Sequence, residues 1–170
     1  MTGAGVPSPG AVLISACLLG QACRYNGGHS RHDAALALAN TRAVIPVCPE
    51  VLGGLVIPRP PAEIRGGDGE AVLAGSARVS DRAGTDVTTL FIAGAEAVLA
   101  LAVKHGAKAA VLKARSPSCG VREIYDGTFS GRRVPGRGVT AALLARNGIE
   151  LWDEEQLEAS TLTCCRDSKG

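Results

Sequence analysis

Cys17, Cys48 and Cys119 are the residues whose type and placement point most directly to chemistry. Each follows a short apolar run: Cys17 comes after 11–16 (AVLISA), Cys48 after 43–47 (AVIPV), and Cys119 lies in the loop after 109–112 (AAVL). If these runs are parallel strands of one sheet, the three thiols lie on one edge, beyond the carboxyl ends, where ligands of such sheets bind. Three thiolates brought in from separate loops suit a soft metal. A closed structural zinc site takes four ligands, usually with a tight C-x-x-C pair, and the sequence holds no C-x-x-C. Three ligands leave one metal vertex free for a substrate, the arrangement of a catalytic centre. The plain alternative, small apolar cysteines filling strand ends, would serve for one of them; matching positions in all three argue against it.

The elements that must position these thiols alternate along the chain. Strands are expected at 11–16, 43–47, 109–112 and 149–152, with Pro46 weakening the end of the second. Helices are expected at 33–40, 88–105, 139–146 and 153–159. The clearest is 88–105, where Leu90, Phe91, Gly94, Ala95, Val98, Ala102 and His105 recur near every 3.6 residues and Gly106 can end the helix. The proline-rich stretch 49–69 reads as irregular, and 70–73 is expected to pair with 77–80 as a small antiparallel ribbon. Strands alternating with helices predict an α/β fold, a Rossmann-like three-layer domain with a mostly parallel sheet.

The chain has 170 residues, enough for one domain with a substantial core. Aromatic residues are only 3%, so that core is built from Ala, Val, Leu and Ile. The expected division is a flexible leader at 1–10, a single α/β catalytic domain at 11–160 and a flexible tail at 161–170. The leader has no basic segment followed by an apolar one, so it does not read as a secretory signal. The longest apolar segment, 88–103, carries Glu96 and is short for a membrane span. A net charge of +2 favours neither nucleic acid nor a membrane as partner. A reducing cytoplasm is the expected compartment, where six cysteines point to metal or catalysis before disulfides.

Longer motifs carry a resemblance. ISACLLG and CRYNGG (14–28), CPEVLGGL and PRPPAEI (48–64), GTDVTTLFIAGA (84–95), LKARSPSCG (112–120), EIYDGTFSG (123–131) and GRGVTAALLARNGIE (136–150) resemble the bacterial thiouracil desulfidase family. The resemblance runs from Val12 to Trp152. It implies a 4Fe-4S cluster held by three cysteines, matching Cys17, Cys48 and Cys119, with one open iron. It further implies a thiolated nucleobase such as 2-thiouracil as small-molecule substrate, with sulfide released and no net redox change.

Sulfur is a soft ligand for iron, and a Lewis acid polarises a C=S bond toward attack by water. That step needs a general base, for which Glu50, in the family's CPE pattern, is the candidate; its plainer role is a cap. Ser116 matches the family's substrate-positioning serine, with Ser118 the alternative, and either could serve only the loop. Tyr25 and Asp126 are further substrate-binding candidates, although turns at 25–27 and 126–127 explain them equally well. Arg59 and Arg115 could offset the charge of a thiolate-bound cluster, and Glu63 could orient a loop. His29, His32 and His105 lack ligand spacing and are expected at the surface. Cys23 is left out of the ligand set, and Cys164 and Cys165 are expected as exposed thiols. Two alternatives stay open: a cluster enzyme for another thioamide or thionucleotide, and a non-catalytic metal- or sulfide-binding module.

Overall fold

Val12, Leu13 and Ile14 are fully buried in strand β1 (Val12–Ser15), and a strand buried on both faces belongs at the centre of a covered parallel sheet. The computed structural model describes the backbone of residues 6–166 and the side chains of 6–160. In it β1 pairs in parallel with β2 (Val44–Val47) on one side and β5 (Ala109–Leu112) on the other. β5 pairs in parallel with β8 (Glu150–Asp153), giving the order β2-β1-β5-β8. Pro46 is tolerated within β2 because β2 is an edge strand, where a missing N–H need not leave a ladder partner unpaired.

The two faces of this sheet alternate by residue. Val12, Ile14 and Val111 pack with Ala35 of α1 (Asp33–Thr41) and Leu157 of α6 (Glu154–Arg166). Leu13, Ala110 and Leu112 pack with Val98 and Ala102 of α4 (Thr88–His105) and Leu144 of α5 (Val139–Arg146). This is the expected three-layer α/β domain. Helix α4 is capped by Gly106 in the left-handed conformation, with Lys104 and His105 in the last turn, where cations suit the helix dipole. It is long and apolar enough to cross a membrane by length and composition. Here its Phe91, Ala95, Val98 and Ala102 are buried in the protein's own cores.

The segment 49–81 differs from expectation. The stretch read as irregular contains α2 (Pro49–Leu52) and β3 (Ala62–Arg65). The ribbon exists, but β4 (Arg78–Asp81) pairs with β3 and not with 70–73. That segment is helix α3 (Gly69–Leu73), started by Asp68, whose Oδ1 accepts from Ala71 N at 3.1 Å. A second ribbon, β6 (Glu123–Tyr125) with β7 (Arg133–Pro135), was not anticipated. The ribbons and α3 enclose a separate core of Ile64, Val72, Val79, Phe91, Ile124 and Val139.

Helix α6 runs beyond its expected end at 159, to Arg166. The calls on the tail and on Cys164 and Cys165 concern residues whose side chains lie outside those described. Of the leader, Ser8 N donates to Glu150 at 2.9 Å, and Arg42 donates to the carbonyls of Pro7 and Gly10.

Candidate metal centre

Strands β2, β1 and β5 are neighbours, and the chain leaving each carries one of the three cysteines. Cys17 lies in a single 3-10 turn, Ala16–Leu19, directly after β1 and ended by Gly20 in the left-handed conformation. Cys48 follows β2 and is the N-cap residue of α2. Cys119 lies in the loop after β5. All three line one cavity of about 950 Å³, together with Glu50, Ser116, Ser118 and Tyr25.

The Cys119 loop has an unusual amount of support. The first N–H groups of α5 lack intrahelical partners, as at any helix start. Val139 N donates to Pro117 O, while Thr140 N and Ala141 N both donate to Ser118 O. The first turn of α6 holds the same loop from the other side. Glu154 accepts from Lys113 Nζ at 2.6 Å and from Ala114 N at 2.8 Å. Glu155 pairs with Arg115 at 2.6 Å and Arg122 at 3.0 Å. Arg115 takes a positive φ of 65°, a conformation that a non-glycine residue keeps only where its surroundings impose it. Its guanidinium is committed to Glu155 and Glu123 rather than to offsetting charge at the thiols.

Glu50 is held by α2 and wired on both oxygens. Arg59 donates to Oε2 through Nε at 2.8 Å and also through Nη2. The Arg59 side chain is only 5% exposed and that of Glu50 16%. Arg59 also donates to the carbonyls of Cys23 and Val56, joining three loops. The other carboxylate oxygen, Oε1, accepts from Ser118 Oγ at 3.4 Å. Ser116 Oγ accepts from the N–H groups of Ser118 and Cys119 at 3.2 and 3.1 Å and stands 2.9 Å from Ser118 Oγ. With two N–H groups pointing at it, Ser116 is oriented to give its own proton to Ser118.

Residues 12–156 match the family described as 2-thiouracil desulfurase. The chain belongs to that family. The uncharacterized protein YbbK of Bacillus subtilis (strain 168) is 47% identical over 146 residues, which is 86% of this chain and 97% of YbbK. A solved structure of the 4Fe-4S-dependent thiouracil desulfidase TudS is 41% identical. It superposes with a TM-score of 0.78, covering 92% of this chain and 99% of that one.

For a 2-thiouracil desulfurase family member the donor set can be tested against a cluster. Among the described residues no three His, Cys, Asp or Glu side chains group around a single ion. A cube with its irons at separate corners takes thiolates that are spread more widely, and Cys17, Cys48 and Cys119 stand on three adjacent strand ends. The thiols themselves are poor anions without a metal. Burial pushes Cys119 up to about 12, opposed by hydrogen bonds from Ser15 and Ser118. Cys48 is raised by its hydrogen bond with Cys23 and then by burial. A metal that replaces those protons recovers the cost, so soft cations fit this pocket.

Several other residues stand differently from expectation. Asp126 does not line the cavity; its Oδ1 accepts from Thr128 N at 3.0 Å, which is the turn reading. Glu63 accepts from Gly127 N and Phe129 N, so it orients the β6–β7 loop. His32, expected at the surface, lines the cavity, and its buried Nδ1 has no hydrogen-bond partner among the described residues. The Cys23 thiol contacts both Cys17 and Cys48. Sequence reasoning passed over Ser15, although a hydroxyl ending the apolar run VLIS two residues before Cys17 was a visible signal.

Proposed function

We propose that this enzyme removes sulfur from a thiolated pyrimidine base, turning thiouracil and water into uracil and sulfide without net redox change. In this reading Cys17, Cys48 and Cys119 hold a 4Fe-4S cluster with one open iron. The observation that carries it is the convergence of three thiols from three adjacent parallel strands on a cavity that also contains a wired carboxylate. When bound, such a cluster supplies a soft Lewis acid for a thiocarbonyl sulfur.

The protein's own residues account for the remaining chemistry. Arg59 occupies Glu50 Oε2, so Oε1 is the oxygen free to take a proton from water as its oxygen adds to the thiocarbonyl carbon. As the C–S bond breaks, the same proton can leave with sulfide. Ser116 and Ser118 offer hydroxyls beside Oε1 that can orient the water or the ring, and Tyr25 offers a wall for the ring. The reading belongs in a reducing cytoplasm, where free thiols persist. One observation favours a second reading: a cavity of about 950 Å³, with Arg24, Arg31 and Arg82 on its lining, has room for a thionucleotide as well as a free base.

The test is Glu50→Gln. After anaerobic reconstitution, the variant is expected to fold, carry the wild-type amount of iron and acid-labile sulfide, and release sulfide from thiouracil on the order of a hundredfold more slowly. Near-native turnover would assign the base to another group, and loss of the cluster would make Glu50 structural.

A further inference from the structure

Ser15 closes β1 and is only 2% exposed, in a strand whose other three residues are wholly apolar. Burying a hydroxyl is unfavourable unless it is hydrogen-bonded, so its partners show what it does. Its oxygen accepts from Lys113 N at 2.9 Å, which ties the end of β1 to the chain leaving β5. Its single hydrogen is then left for the other partner in reach, Cys119 Sγ at 3.5 Å. A thiol sulfur is a weak acceptor and a thiolate a strong one. Cys119 is itself only 4% exposed, so water cannot stabilise a charge there.

We infer that Ser15 is a positioning residue for the metal centre, its hydroxyl donating to the Cys119 thiolate and drawing electron density away from the sulfur. This rests on the cluster reading above. The oxygen and the hydrogen have separable jobs: the oxygen joins two strands with or without a metal, while the hydrogen matters only once Cys119 is a ligand. Hydrogen bonds to cysteine sulfur are among the factors that set a cluster's potential, because they stabilise the more negative, reduced form. Less density on the sulfur also makes the iron it binds a better acceptor for a substrate sulfur.

The experiment compares wild type, Ser15→Ala and Ser15→Thr after anaerobic reconstitution, by iron content, redox titration and resonance Raman spectra in H2O and D2O. Ser15→Ala is expected to retain iron but shift its potential negative, with an approximately tenfold fall in the reduction equilibrium constant, which is 59 mV for a one-electron couple. Ser15→Thr is expected to restore it. The wild-type iron–Sγ stretch should move in D2O, and that movement should shrink in Ser15→Ala. A loaded Ser15→Ala with unchanged potential and unchanged D2O sensitivity overturns the inference and leaves Ser15 a strand tie. If Ser15→Ala does not load, Ser118→Ala decides: D2O sensitivity surviving there supports Ser15 as a donor, and its absence overturns it. A wild type that takes up no iron overturns the cluster reading itself.

Discussion

Replacing Cys17, Cys48 or Cys119 singly with Ser should abolish iron retention, since each strand end contributes one ligand and none duplicates another. Cys23→Ser should keep near-native iron and colour. Its thiol touches Cys17 and Cys48, and a hydroxyl preserves that polar contact. Iron quantitation after anaerobic reconstitution checks both, and a Cys23→Ser protein without iron would add a fourth thiol to the site. Arg59 is the other informative residue. Removing one partner of a largely buried ion pair costs about 3 kcal/mol, because the partner is left uncompensated. Arg59→Met should therefore lower the urea-unfolding free energy of the metal-free protein by about that amount. In an Glu50→Gln background the same change should cost clearly less, since the lone charge is gone.

At the scale of elements, Glu50 depends on how closely α2 lies against α4. A Cβ on Gly94 would stand 2.0 Å from Pro49 O, and one on Gly53 would stand 2.1 Å from Leu90 O. No rotamer relieves a clash between backbones. Gly94→Ala should destabilise the fold by about 1–3 kcal/mol and slow sulfide release as α2 shifts, measured by urea unfolding and turnover on one preparation. The α6 grip on the Cys119 loop has a pH signature. Hydrogen bonding to Arg115 holds the Glu155 carboxyl below the usual range. A lowered folded-state pKa contributes stability above the unfolded-state value and loses it as pH falls through the folded one. Glu155→Gln should thus be less stable than wild type at neutral pH, by no more than about 1 kcal/mol for so exposed a pair. The difference should vanish in acid, as read from melting temperatures across that range.

For the whole molecule, the cluster reading implies that metal binding fastens three loops to one end of a sheet that is already complete. Anything bound only by the folded state raises stability. Removing iron with a chelator should lower the melting temperature. Hydrogen exchange should rise in 16–30, 48–61 and 113–120 while β1 and β5 stay protected. Uniform loss of protection would mean that the metal supports the core itself.

How far the sequence reached follows from which interactions are local. Strands β1 and β5 were legible because burial on both faces demands unbroken apolar runs, and α4 because its periodicity and Gly106 mark both its face and its end. The cysteine edge was legible for a topological reason: parallel strands put all their carboxyl ends together, so Cys17, Cys48 and Cys119 needed no distances to be grouped. The segment 49–81 was misread because its strands are four residues long and β3 finds its partner beyond an intervening helix, α3, whose Asp68 cap was overlooked. Only the tertiary structure decided the rest. Arg59 reaches Glu50 from another loop, Ser15 reaches Cys119 across 104 residues, and His32 turns toward the cavity. The amino-acid order determined which residues stand at the strand ends; which side chains share protons there depended on loops packed from opposite sides, since hydrogen bonds are fixed by distance in space.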